Sequence, residues 1–62
     1  MYKEKFARDI KIGDNVLFSG KYPIQITGTM RYKENGEDII SLHTAISVQK
    51  VHPNQVFQVV VY

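Results

Sequence analysis

Apolar and polar side chains alternate along most of this chain with a period of two, as strands do when one face is covered. Across residues 24–33 the alternation is unbroken. Ile24, Ile26, Gly28, Met30 and Tyr32 fall on one side, with Gln25, Thr27, Thr29, Arg31 and Lys33 on the other. This reads as a half-buried antiparallel strand. Residues 38–50 alternate too, with Ile40, Leu42, Thr44, Ile46 and Val48 opposing Ile39, Ser41, His43, Ala45, Ser47 and Gln49. A flat strand that long is unusual in a small domain, which predicts a bend near Thr44 and Ala45. Residues 15–19 read as a shorter strand in which Val16 and Phe18 share a face. It is entered through a Gly13-Asp14 turn and broken by Gly20-Lys21-Tyr22-Pro23, where Pro23 has no ladder donor. Upstream, Ile10 and Ile12 alternate with Asp9 and Lys11. Residues 52–55 read as a tight turn before a last strand over 56–62. That strand is uncharged and rich in β-branched and aromatic residues, a hazard if left exposed. It is expected to pair on at least one side, most simply with the strand that carries Val16 and Phe18, which would close a small barrel. Only residues 1–8 look helical, because Tyr2 and Phe6 stand four apart among Lys3, Glu4, Lys5 and Arg8. They read as a short helical turn or as a frayed end, since so short a helix is unstable alone.

The turn between the two long runs is a matter of register. A two-residue Asn35-Gly36 turn would set Met30 opposite Ser41 and Ile26 opposite Ala45, placing apolar positions against polar ones. A three-residue loop, Glu34-Asn35-Gly36, would set Met30 opposite Ile40 and Ile24 opposite Ile46. The pattern therefore favours the three-residue loop.

With 62 residues the chain has room for one domain, 1–62, with residues 1–9 free to be flexible. There is no Cys, so neither a disulfide nor a thiolate metal site can reinforce the small core. Apolar residues at 44% and charged residues at 23% suit a folded soluble domain. No apolar run approaches the ~20 residues of a membrane span, and the first residues lack a signal-peptide core. No membrane partner and a cytoplasmic location are expected. A net charge of +2 is only mildly basic, below that of a protein that coats nucleic acid.

Gly13-Asp14-Asn15-Val16-Leu17-Phe18 resembles the Gly-Asp-x-Val-x-hydrophobic start of many Src-homology-3-like small barrels. Gly28-Thr29-Met30 resembles the step where their second strand bends, and His52-Pro53-Asn54-Gln55-Val56 resembles the turn before their final strand. The resemblance implies an all-β fold, a five-stranded antiparallel barrel. It also implies a setting such as a bacterial, plasmid or phage binding protein. Within that family the KOW-type barrels of ribosomal and elongation proteins are nearest, which implies nucleic-acid contact. Gly20 and Gly28 match the outer glycines of their pattern, but Pro23 interrupts it and no Gly lies between. The peptide-binding members use a Trp that this chain lacks.

Little in the sequence points to catalysis. His43 and His52 do not have the spacing of a metal pair on one helix face, and Ser19, Ser41 and Ser47 lie in no nucleophile motif or recognisable pairing with a base. Glu34, Glu37 and Asp38 cluster at a hairpin tip, where solvent keeps carboxylates ordinary. The expectation is a non-enzymatic binding module with no cofactor, metal or small-molecule substrate. Two partner classes remain. Protein contact or a homodimer would use the edge of the sheet, at Gln58, Val60 and Tyr62. Nucleic acid would use a basic hairpin face with Lys21, Tyr22, Arg31, Lys33 and Lys50.

Overall fold

Strand propensity and turn chemistry divide the chain into seven strands. The structure, a computed structural model, describes residues 1–18 and 22–61. The strands are β1 (Tyr2–Phe6), β2 (Asn15–Leu17), β3 (Pro23–Gln25), β4 (Gly28–Glu34), β5 (Glu37–His43), β6 (Val48–Val51) and β7 (Val56–Val60). They form two antiparallel sheets, one ordered β1-β7-β2-β3 and the other β4-β5-β6. The fold is all-β, as the alternation requires. Among the described residues it has seven strands rather than five, and the two sheets do not close into a continuous barrel.

Three departures from the sequence reading account for the higher strand count. Residues 2–6 are strand, not helix. Tyr2 and Phe6 lie on one face of a strand as readily as on one face of a helix, and pairing with β7 from Tyr2↔Val60 to Phe6↔Val56 decides between them. The helical turn follows as a short 3₁₀ segment, Ala7–Asp9, anchored where Ala7 N–H donates to the Gln55 carbonyl at 2.8 Å. Ile10 is buried beside it, whereas Ile12 is exposed and outside any strand.

The run 38–50 does more than bend. It reverses over residues 44–47 to give β5 and β6, paired from Ile40↔Val51 to His43↔Val48. Thr44 causes the reversal. Its hydroxyl accepts the Ser47 N–H at 3.0 Å, and its own N–H donates to the Ser47 carbonyl at 2.9 Å, closing the loop locally.

The run 24–33 splits because the chain changes sheets inside it. Ile26 bonds to the Gly13-Asp14 turn through both its N–H and its carbonyl, each at 2.8 Å, yet the next N–H, of Thr27, donates to His43 across the other sheet. The crossing adds one residue to the alternation. Positions 24 and 26 point inward, and then Thr29 and Arg31 share the inner face with Leu42 and Ile40. Met30 and Tyr32 therefore point outward. The hairpin uses the two-residue turn and the register that the apolar pattern disfavours, with Met30 opposite Ser41 and Lys33 opposite Asp38. Asn35 (φ 53°) and Gly36 (φ 81°) both adopt the left-handed conformation of a type I′ turn, whose twist matches that of the flanking strands. Polar inner positions are tolerable on β4 because it is an edge strand. The apolar inner face is required of β5, where Ile40 and Leu42 are buried.

The core consists of Ala7, Ile10, Val16, Ile26, Ile40, Leu42, Val51 and Val59. Phe18 and Phe57 pack against it edge to face, with ring centroids 5.6 Å apart. The expected pairing of the last strand with β2 is present, as Val16↔Val59, and β1 takes its other side. The Val61 N–H donates to the Met1 carbonyl at 2.9 Å, so the two ends of the described chain lie side by side.

Candidate functional site

Directly opposed residues in an antiparallel ladder share a face, so the pairing of the four-stranded sheet defines its outer surface. One row is Tyr2 and Val60. The next is Glu4, Gln58, Leu17 and Pro23, and the third is Phe6 and Val56. Tyr2, Phe6 and Val56 are exposed by 56%, 41% and 48%, enough for all three side chains to meet a partner. Glu4 is the one charged residue in these rows. Gln58 and Val60, expected from the sequence as contact residues, lie at the centre of this face, Gln58 exposed and Val60 half-buried. Tyr62 lies outside the described residues. Tyr2 and Phe6 escape a sequence reading that takes residues 2–6 as a helical turn or a frayed end, whereas Val56 lies on the same period-two face of the last strand as Gln58 and Val60. The signal for Tyr2 and Phe6 was present in their period-two spacing around Glu4.

The edges of the sheets are less inviting. β7 is paired on both sides, so it offers no edge of its own. The edge strand β1 turns Lys3 and Lys5 to its inner face, opposite Val59 and Phe57. The edge strand β4 does the same with Arg31, opposite Ile40. Inward-pointing charges on edge strands discourage the docking of a further strand.

Of the five residues expected to contact nucleic acid, the four that are described do not form one surface. Lys21 lies outside the described residues, and Tyr22 is exposed at the entry to β3. Arg31 and Lys33 lie on the inner face of the hairpin, where the Arg31 guanidinium donates to the Arg8 carbonyl. Lys50 is on the opposite face of the same sheet, as its pairing with Ser41 requires. There it meets the Glu34 carboxylate at 3.4 Å, which raises the pKa of its ammonium.

Ser41 has a base within reach after all. Two residues apart on β5, Ser41 and His43 share the outer face, and Ser41 Oγ lies 2.9 Å from His43 Nε2. A strand places i and i+2 side by side, so this contact was open to a sequence reading. At 5% exposure, Ser41 is nearly closed to any substrate, and the hydrogen bond serves to satisfy a buried hydroxyl. Asp14 is also held in place. Burial alone would raise its pKa, but bonds from the Lys11 N–H at 2.9 Å and the Lys5 ammonium at 3.0 Å outweigh that and lower it. Among the described residues no cluster of His, Asp or Glu is placed to hold a metal ion, and no helix is long and apolar enough to cross a membrane.

Comparison of the chain with protein-family models, with curated proteins and with solved structures finds no match. The outer face of the four-stranded sheet is therefore the candidate site on physical grounds alone.

Proposed function

We propose that this protein is a non-enzymatic protein-binding module whose contact surface is the outer face of the β1-β7-β2-β3 sheet, with a second copy of the chain as the simplest partner. One observation carries the reading. Tyr2, Phe6, Val56, Val60, Leu17 and Pro23 share this face, and among the described residues of its rows only Glu4 is charged, the other interruptions being the neutral Gln58, Asn15 and Gln25. An apolar face with so little charge is uncommon on monomers without an interaction to serve. Contact through the face replaces contact through the edge because β7 has no free side and the edges of β1 and β4 carry inward cations. The outer face of the other sheet competes poorly, since the Lys50–Glu34 ion pair crosses it.

The Src-homology-3-like architecture belongs to the same proposal. Its support is the Gly13-Asp14 turn before β2, the change of sheet at Ile26 and Thr27, the tight β4–β5 hairpin, and the turn over residues 52–55 that returns β7 to β2. A cytoplasmic location fits such a module.

Light scattering across micromolar to millimolar protein, with amide-resolved NMR over the same range, tests the reading. Self-association should move the amides of residues 2, 4, 6, 56, 58 and 60, and Val56→Lys should abolish the movement while leaving the fold intact. A strict monomer whose spectra do not change with concentration would remove the second copy as partner. Amide shifts confined to β4–β6 on self-association would refute the assigned face.

A further inference from the structure

Between the inner face of the β4–β5 hairpin and the chain at Arg8 and Pro53 lies a half-open groove of about 430 Å³. That volume falls within the ~300–1,000 Å³ range of small-molecule sites. Ile40 and Pro53 give it apolar walls and the chain at Tyr32 and Ile39 lines it as well, while Arg8 and Arg31 bring two cations and Asp38 one carboxylate.

Two features distinguish these arginines from solvated surface charge. Each is already held. Arg31 Nη2 donates to the Arg8 carbonyl, the Arg8 guanidinium sits 4.3 Å from the centroid of the Phe6 ring, and Arg8 Nη1 donates to Asn54 Oδ1. These contacts narrow the rotamer choice of both exposed side chains before any ligand arrives, which lowers the entropic cost of binding. Neither is neutralised, either. The ion pairs among the described residues are Lys5–Asp14 and Lys50–Glu34, and Asp38 lies in the same groove without pairing with either guanidinium. Ordered, unpaired guanidinium groups beside apolar walls suit an anion carried on an apolar body.

We propose that this groove binds a phosphate monoester of an aromatic or aliphatic group, the phosphate on Arg8 and Arg31 and the apolar body against Ile40 and Pro53. Phosphate is favoured over carboxylate by charge. Asp38 pairs with neither guanidinium, so both can meet the ligand, and a phosphate brings nearly two charges and a third acceptor oxygen where a carboxylate brings one charge and two oxygens. The proposal uses none of the three apolar rows except Phe6 and does not depend on self-association.

Amide-resolved titration of the full chain with phenyl phosphate, inorganic phosphate and benzoate provides the test. Phenyl phosphate should move the amides of Arg8, Arg31, Ile39 and Ile40 saturably. Inorganic phosphate and benzoate should each bind about tenfold more weakly, a difference of ~1.4 kcal/mol. Arg31→Gln should lower phenyl phosphate affinity about tenfold or more, and Arg31→Lys should recover only part of it, because the charge returns without the fork. Lack of saturable shifts would overturn the proposal. Equal affinity for inorganic and phenyl phosphate would reduce the site to a nonspecific ion contact, and equal affinity for benzoate would refute the phosphate class. Full recovery in Arg31→Lys would refute the role of guanidinium geometry. If Arg31→Gln does not fold, Arg31→Lys and the three ligands still decide the matter.

Discussion

Met30 and Leu42 together give the most direct test of the architecture. They lie on neighbouring strands but on opposite faces, since the two-residue hairpin sets Met30 against Ser41 and Leu42 against Thr29. Leu42 is 0% exposed and Met30 is 58% exposed. Truncating a fully buried Leu to Ala removes its transfer free energy and leaves a cavity, at a combined cost of ~2–5 kcal/mol. A 62-residue domain at ~0.05–0.15 kcal/mol per residue has only ~3–9 kcal/mol in all. Leu42→Ala should therefore remove about a fifth of the stability at the least, and most of it at the upper end of the range. Met30→Ala, at an exposed position, should stay within ~0.5 kcal/mol of the parent. The three-residue loop would put Met30 inside, beside Ile40, and make both changes costly. Urea unfolding followed by circular dichroism reads the difference as midpoints at constant slope. A Met30→Ala loss above ~1.5 kcal/mol would show that the register and the phase change at Ile26 are wrong.

Gly36→Ala should cost ~1 kcal/mol or slightly more, because φ of 81° is strained for a residue with a Cβ, whereas Asn35→Gly should be nearly silent; thermal melts of the two variants check this. Phe57→Ala loses the edge-to-face contact with Phe18 and should cost ~2–3 kcal/mol, below the full core value because the ring is only half-buried; a near-neutral result in chemical denaturation would contradict the inward facing of β7. The pKa of Asp14 is lowered in the folded state, so its contribution is present above the ordinary carboxylate pKa and is lost as pH falls through the folded value. Asp14→Asn should accordingly flatten the loss of stability on acidification below about pH 4, and an unchanged acid limb would exclude Asp14 as its source.

Period-two alternation is a local property, and what it predicts correctly is local. It marks the chain as β from Asn15 onward, finds the Gly13-Asp14 and Pro53 turns, and pairs the final strand with Val16 because an uncharged strand needs cover. It does not reveal the crossing at Ile26 and Thr27. There the side chains continue to alternate in sequence while the backbone exchanges one sheet for another, and the β4 positions that follow change face. Arg31 looks outward and basic in the sequence, yet it lies on the inner face with its guanidinium on the Arg8 carbonyl. The N-terminus is ambiguous for a different reason. Tyr2 and Phe6 satisfy both helical and strand spacing, and only β7, fifty or more residues away, decides between them. The candidate face was thus half legible. Gln58 and Val60 were accessible to reasoning about the last strand, and their neighbours on β1 were not.

The meeting of Met1 and Val61 has a consequence for how the chain is assembled. The β4-β5-β6 meander involves only nearby residues and has little loop entropy to lose, so it forms early. The β1–β7 seam joins residues fifty or more positions apart and so closes the longest loop in the fold. Loss of that seam would open the apolar rows while the meander kept its pairing. Contact with a partner across those rows would act as a clasp, resisting that loss.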